Sequence, residues 1–411
     1  MRASIQLSPR DLYLGCFSDV RGWGGALASA RGVTAAGRRR GVSTLLLGAT
    51  ARGEDPLATA PDAPRFNVRL TREPFLWRVQ SWRASRQLAL WLRQLPPPRA
   101  AFLGLSPYWV IAAKQAWPGL PVFYRLPCVL HNCLPFTWPR RRPPTVWNRV
   151  NLAGIARAEH LAFALADLTF APTELARQEV LAFHPPVRGR VHICPEGYEP
   201  RDISPEMRLG QRRTIGVSED AVVFLAVGKC DLNKAFDWAI RELPAVDERA
   251  RLVIVGDGPE RPRLAQLAQD LGVAARVHFA GPQADLEPWY AAADCVVSTS
   301  HYDTFPNALQ EAMCRGRPVI VPEHRPPEVY AGFAEVVSNE GGGLLYNRSR
   351  TGTLAGGMNY LVREAGARER LARQARLATE QWFRRGSIVD RIFTWLRQAS
   401  QRDAGVERAV P

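Results

Sequence analysis

Asp303 and Glu311 stand eight residues apart in the run His301-Tyr302-Asp303-Thr304-Phe305-Pro306-Asn307-Ala308-Leu309-Gln310-Glu311. Between them the chain carries the opening of a helix. Thr304 is expected to cap it, and Pro306 suits the first turn, where a missing N–H costs nothing. Gly316 and Pro318 should close the helix, and Val319-Ile320-Val321 should start a strand. Upstream, Asp294-Cys295-Val296-Val297-Ser298-Thr299-Ser300 reads as a buried strand ending in small polar residues. The helix would then open at the carboxyl edge of a parallel sheet, with free N–H groups and the positive end of its dipole exposed, which favours phosphate. Glu311 falls in register with Asn307, and its side chain leans back toward that opening. Two carboxylates framing an anion pocket suit a ligand that also carries hydroxyls.

Cations follow in the same half of the chain. Gly228-Lys229-Cys230-Asp231-Leu232-Asn233-Lys234 comes straight after an apolar run, in a sequence with few lysines and many arginines. Both lysines could reach a diphosphate at the sheet edge. Val255-Gly256-Asp257-Gly258-Pro259 and Phe279-Ala280-Gly281-Pro282 are glycine loops at strand ends, suited to lining a nucleotide crevice or simply to turning the chain. Near the start, Gly22-Trp23-Gly24-Gly25 allows close backbone approach. It is a poor dinucleotide fingerprint, because Leu27 stands where the third glycine belongs and no acid ends the second strand.

These residues need a framework of alternating strands and helices. Residues 13–17, 42–47, 101–105, 122–125, 168–171 and 191–194 read as strands of a first α/β unit, with helices near 77–94, 107–116 and 148–165. Residues 198–220, broken by Pro200, Pro205, Gly210 and Gly216, read as a linker. Strands at 222–227, 251–255, 277–280, 295–297 and 319–321 follow, separated by helices such as 261–271. Two doubly wound parallel sheets are expected. The domains would be 1–200 and 201–380, with 381–411 a terminal helix and tail.

At 411 residues, 46% hydrophobic and 23% charged, the chain suits two soluble domains. A net charge of +15 points to an anionic partner, or to a composition simply rich in arginine. No arginine-rich tail or nucleic-acid module supports a nucleic-acid partner. Seven scattered cysteines suggest free thiols in a reducing compartment. The N-terminal residues lack a signal-peptide apolar core, so the cytoplasm is the expected location. The segment 136–147 interleaves Phe136, Trp138 and Trp147 with Arg140, Arg141 and Arg142. It reads either as a dock for anionic headgroups on the inner face of the cytoplasmic membrane or as a solvated Pro-rich loop.

Taken in order, Gly228-Lys229, Lys234, Val255-Gly256-Asp257-Gly258-Pro259, Phe279-Ala280-Gly281, Ala293-Asp294, Asp303 to Glu311 and Gly316-Arg317-Pro318 resemble glycosyltransferase family 4. Ala166-Asp167 and Gly24-Gly25 are weaker matches. The resemblance implies retaining enzymes of the GT-B fold, with two Rossmann-like domains facing across a cleft and the terminal helix crossing back onto the first. It implies that Lys229 and Lys234 hold the diphosphate of a nucleotide-sugar donor and that Glu311, the second acid of an E-x7-E signature, binds the ribose. Asp303 takes the first-acid position. Phe305, Pro306, Asn307 and Ala308 form the loop under the phosphates and sugar, Gly281 lines the donor site, and Gly24 and Gly25 face the diphosphate. The implied catalytic residues are Asp303, Lys234 and His131, the last standing near the place of the family's N-domain histidine.

The chain departs from the pattern at three places: Asp303 replaces Glu, Lys229 replaces Arg, and Ala235 replaces the glycine after the second base. The Tyr-Asp-x-Phe form is similar to that of lipopolysaccharide-core glucosyltransferases. The implied activity is hexosyl transfer, UDP-sugar favoured, to a cell-envelope, polysaccharide or glycolipid acceptor, with no cofactor and no metal. The alternatives are a GT-B nucleotide-sugar epimerase and a non-catalytic nucleotide-sugar-binding or scaffold protein.

Overall fold

The computed structural model describes residues 10–16, 25–50, 65–67, 77–130, 132–133, 146–195, 198, 200–384 and 388–406. The chain divides into two units. One takes the described residues of 1–131, 141–196 and 386–411; the other takes those of 132–140 and 197–385.

The first unit holds strands β1 (Leu12–Cys16), β2 (Thr44–Thr50), β3 (Arg65–Asn67), β4 (Ala101–Gly104), β5 (Val122–Arg125), β6 (Leu168–Ala171) and β7 (Val191–Ile193). They form one sheet in the order 3-2-1-4-5-6-7, with every pairing parallel. β1, β4, β5 and β6 are buried along their whole length and apolar but for Arg125 and Thr169, as suits strands covered on both faces. On one face Trp109, Phe102 and Tyr124 fill the core. On the other, Ile388, Val389 and Ile392 of the helix Ile388–Val406 pack against Leu12, Leu14 and Phe123, and Trp395 meets Phe123 edge-on.

The second unit holds β8 (Val222–Val227), β9 (Ala250–Val255), β10 (Val277–Gly281), β11 (Cys295–Val297), β13 (Val319–Pro322) and β15 (Gly343–Tyr346), in the order 10-9-8-11-13-15 and again parallel. Counted within the unit this is 3-2-1-4-5-6, the doubly wound Rossmann order. A short parallel pair, β12 (Tyr302–Asp303) with β14 (Tyr330–Ala331), stands apart from the main sheet.

The same device fixes strand register in both sheets. Asp167, just before β6, accepts the Val122 N–H at 2.7 Å and donates its own N–H to the Val122 carbonyl at 2.8 Å. Asp294, just before β11, does the same to Val223 at 2.7 and 2.9 Å. Each is neutralised by cations: Lys114 for Asp167, Arg208 and Arg212 for Asp294.

Two sequence expectations need correction, and one element went unread. The linker expected over 198–220 contains a helix, Pro205–Thr214, opened by Ser204, whose hydroxyl accepts the Met207 N–H. Pro205 stands in its first turn, where a missing N–H costs nothing, and Gly210 lies within it. Thr304 does not cap the next helix, which starts at Asn307 with Pro306 at the cap position. Phe305, preceding a proline, is disfavoured in helical conformation, so the helix cannot begin before it. The pair β12–β14 was not read from the sequence at all, because two residues per strand leave no periodic signal. Among the described residues, no helix is long and apolar enough to cross a membrane.

Candidate active site

In the second unit the strand order reverses between β8 and β11, which opens a crevice at their carboxyl ends. Two loops leave the sheet there: 228–235 after β8 and 298–303 after β11. Both lysines of the first loop were read as ligands, and the chain has three lysines in all, at 114, 229 and 234.

Lys229 is exposed and, among the described residues, has no ion-pair partner. Lys234 is half-buried, and its Nζ lies 2.6 Å from Oδ2 of Asp303. Burial works against its charge, but the Asp303 and Asp231 carboxylates outweigh this and hold the ammonium above its ordinary pKa. It therefore stays cationic through neutral pH. Ser300 Oγ stands 3.5 Å from the same Asp303 oxygen.

The two loops are stitched together by Asn233. Its side-chain amide donates to the Tyr302 carbonyl and accepts the Tyr302 N–H, both at 3.0 Å, while its own carbonyl accepts the His301 N–H at 2.8 Å. Lys234 and Asp303 face each other because their neighbours are bonded. Asp303 is held from the other side by the β12–β14 pairing, in which its carbonyl accepts the Gly332 N–H at 2.8 Å. Tyr302 and Tyr330 stack at 4.6 Å beneath it. Arg348 ties the loop to β15: its guanidinium meets Nε2 of His301 at 3.0 Å, bonds the Thr299 carbonyl, and lies over Trp238.

The glycine loops lie at the same edge. A Cβ on Gly256 would fall 1.9 Å from the Gly228 carbonyl oxygen, so the backbones of these loops approach as only glycine allows. Gly256 N–H in turn donates to the Gly281 carbonyl at 2.8 Å, which places Gly281 beside them at the end of β10. Ala235 carries a positive φ of 47°, alone among the described non-glycine residues. It stands where the pattern the sequence resembles has glycine, and the backbone keeps the left-handed conformation a glycine would favour.

Glu311 sits in the helix Asn307–Met313, which runs from the carboxyl edge back along the sheet. Gly316, at φ 64°, ends the helical stretch, with its N–H on the Met313 carbonyl and that of Arg317 on the Ala312 carbonyl, both at 2.9 Å. Burial raises the Glu311 carboxyl above its ordinary pKa, opposed by the Tyr290 hydroxyl bonded to its Oε2 and by Arg315. Phe305 is buried against Phe333 at 5.2 Å and belongs to the core, so only its backbone can border a ligand. Pro306, Asn307 and Ala308 are half-buried at the helix opening.

The structure thus brings Lys229, Lys234, Gly281, Asp303, Pro306, Asn307, Ala308 and Glu311 together in one unit, around one sheet edge. Gly24 and His131 lie outside the described residues, as does 136–145 of the aromatic and basic segment; Gly25 is described only as the first residue of the helix Gly25–Arg39. Just before His131, the Leu130 N–H is held by buried Glu159 at 2.6 Å. Sequence reasoning missed Asn233, Tyr290 and Arg348, whose roles come from contacts with residues 69, 21 and 47 positions away. Asn233, set between the two lysines, was the one with a visible signal.

Residues 221–364 match the family model described as Glycosyl transferases group 1. An uncharacterised glycosyltransferase of Methanocaldococcus jannaschii is 31% identical over 208 residues, covering 49% of this chain and 52% of that protein. The lipopolysaccharide core biosynthesis glycosyltransferase LpsE of Rhizobium meliloti is 31% identical over 182 residues, 44% of this chain and 51% of that one. The chain spans about half the length of these curated relatives. Among solved structures, Anabaena HepE in complex with UDP and glucose superposes with a TM-score of 0.69 at 18% identity, over 96% of this chain and 99% of that one. That likeness shows the fold: two Rossmann-like domains in the GT-B architecture.

Proposed function

We propose that this protein is a retaining glycosyltransferase that moves a sugar from a nucleotide-diphosphate donor, UDP-sugar favoured, to a cell-envelope, polysaccharide or glycolipid acceptor. The observation that carries the reading is the group at the β8/β11 crevice: Lys229, with no ion-pair partner among the described residues, Lys234 against Asp303, and Glu311 on the adjoining helix. The family match over 221–364 covers these residues. The UDP and glucose bound by Anabaena HepE support the donor class, and the name of the Rhizobium relative supports an envelope acceptor.

In this reading Glu311 accepts the ribose hydroxyls and the two lysines hold the diphosphate. When the bond between the anomeric carbon and the diphosphate oxygen breaks, negative charge grows on that oxygen. The ammonium groups stabilise it without a metal, Lys234 already held in place by Asp303. The acceptor hydroxyl attacks from the same face, and its proton passes to the departing phosphate oxygen, so the configuration is retained and no enzymatic nucleophile is needed. Asp303 grips sugar hydroxyls. His131 is proposed as a further sugar contact, and Gly24 and Gly25 as backbone neighbours of the diphosphate. The reaction belongs in the cytoplasm, with the acceptor presented at the inner membrane face.

The test is a thermal-shift screen against UDP, GDP, ADP and CDP, followed by transfer from the matching labelled nucleotide sugars. Ligand binding to the native state raises apparent stability, by about 2.7 kcal/mol at a hundredfold excess over Kd. A protein that no nucleoside diphosphate stabilises, and that neither hydrolyses nor transfers any donor sugar, does not have this function.

A further inference from the structure

Glu311 is not oriented by its own helix. Its Oε2 takes a hydrogen bond of 2.8 Å from the hydroxyl of Tyr290, which sits on a separate helix, Glu287–Ala292. Tyr290 is fully buried among Val223, Leu225, Leu309 and Met313. A phenol so placed needs a polar partner. Two oxygens are in reach, Glu311 Oε2 at 2.8 Å and the Ala308 carbonyl at 3.2 Å, and one proton cannot serve both fully. The shorter bond, to an ionised acceptor, is the stronger.

The tyrosine is itself fixed from above. Arg315 lies over its ring, 4.9 Å from the centroid, and is clamped to Glu287 by two bonds of 3.0 and 2.5 Å. A third Arg315 nitrogen donates to the backbone carbonyl of Glu311 at 2.7 Å. Glu311 is therefore held at its backbone by Arg315 and at one carboxylate oxygen by Tyr290. Its Oε1 carries no hydrogen bond from the described residues.

We propose that Tyr290 is a positioning residue of the nucleotide site: its hydroxyl holds the Glu311 carboxylate in the one orientation that presents Oε1 to the ribose hydroxyls. This rests on the reading of Glu311 as the ribose contact. An unrestrained glutamate loses side-chain freedom each time it grips a ligand. A buried donor on the far oxygen removes that loss before the ligand arrives, as outer partners do for metal ligands. Tyr290 and Arg315 also offset part of what burial costs this half-buried carboxylate. The groups that face it are Tyr290, Arg315, Glu287 and Arg201; burial and Glu287 oppose its charge, while Tyr290, Arg315 and Arg201 favour it.

The experiment compares UDP with 2′,3′-dideoxy-UDP by calorimetry, on wild type and on Tyr290→Phe. Phenylalanine keeps the ring under Arg315 and in the core, and a thermal melt confirms that the variant is folded. Wild type should prefer UDP by about tenfold, the worth of a hydrogen bond to a charged group. Tyr290→Phe should lose most of that preference while binding the dideoxy compound as wild type does. The pH below which the preference disappears should also move upward in Tyr290→Phe, because the donor that favours the carboxylate is gone. A variant that keeps the full preference and its pH dependence overturns the inference alone. So does one that loses affinity for both compounds equally. Wild type that binds both compounds alike overturns the ribose assignment of Glu311, and the inference with it.

Discussion

Asp303→Asn should bind UDP more tightly than wild type while transferring sugar more slowly. The carboxylate and the diphosphate compete for one ammonium, Lys234 Nζ, which Asp303 engages at 2.6 Å with both side chains at most a quarter exposed. A charged hydrogen bond of this kind contributes about 1.5–3 kcal/mol. An incoming diphosphate must give up part of it, and must also approach a like charge. Asparagine keeps the shape and a weaker bond but removes the charge. The net gain should be about 1–1.4 kcal/mol, or roughly five- to tenfold in the Kd for UDP, since 1.4 kcal/mol is tenfold. Turnover should fall by roughly ten- to a hundredfold, because the sugar loses a charged acceptor of the same worth. Titration calorimetry gives the first number and a labelled-donor assay the second. A double-mutant cycle with Lys234→Met isolates the coupling, and in the Lys234→Met background the gain should vanish. Weaker UDP binding in Asp303→Asn, or an equal gain without the lysine, would refute the competition.

Other consequences are more local. Ala235→Gly should raise stability by about 0.5–1 kcal/mol in a denaturant titration, because Ala235 holds a φ of 47° that suits glycine. The ratio of UDP to dideoxy-UDP affinity, which cancels titration of the phosphates, should fall as the pH drops through the raised pKa of Glu311, a window just above the ordinary glutamate range; Glu311→Gln should show no such step. The sign for stability is the reverse. A carboxyl whose folded pKa is raised contributes stability below its unfolded pKa and loses it as pH rises through the folded one, so Glu311→Gln should be slightly more stable than wild type at neutral pH. Asp294→Ala should cost about 3–5 kcal/mol on chemical unfolding, since it strands Arg212 in the interior with the Val223 N–H unpaired.

The sheets were legible because fully buried parallel strands read as apolar runs such as Val222–Val227, and the glycine and lysine positions were legible because each sits at a strand end. The helix Asn307–Met313 could be read from Pro306 and Gly316, though not its first residue, which depends on what Phe305 can do before a proline. What the sequence could not show was pairing across distance. Asn233 looks like any polar loop residue until Tyr302 is seen between its two bonds. Tyr290 lies in a Trp-Tyr-Ala-Ala-Ala run that reads as core, and core is where its ring lies; the role of its hydroxyl depends on a helix turn 21 residues later. The helix Pro205–Thr214 was hidden for another reason. Its prolines and glycines resemble a linker, and its anchor, Arg212 buried on Asp294, is 82 residues away.

Asp167 and Asp294 occupy the amino-terminal edges of their sheets, each closing a strand pair by the same two backbone bonds. The lysines, Asp303 and the glycine loops occupy the opposite, carboxyl-terminal edge. In the second sheet, cohesion and the proposed chemistry are therefore assigned to different ends of the same strands. Loops at the carboxyl-terminal edge can be exchanged, lengthened or recoded without touching the bonds that hold the sheet in register. A library aimed at donor choice should confine its variation to 229–235 and 300–308 and leave both aspartates and their arginine or lysine partners untouched. Such a scaffold tolerates diversification because Asp294 and its partners stand at the edge away from the proposed site.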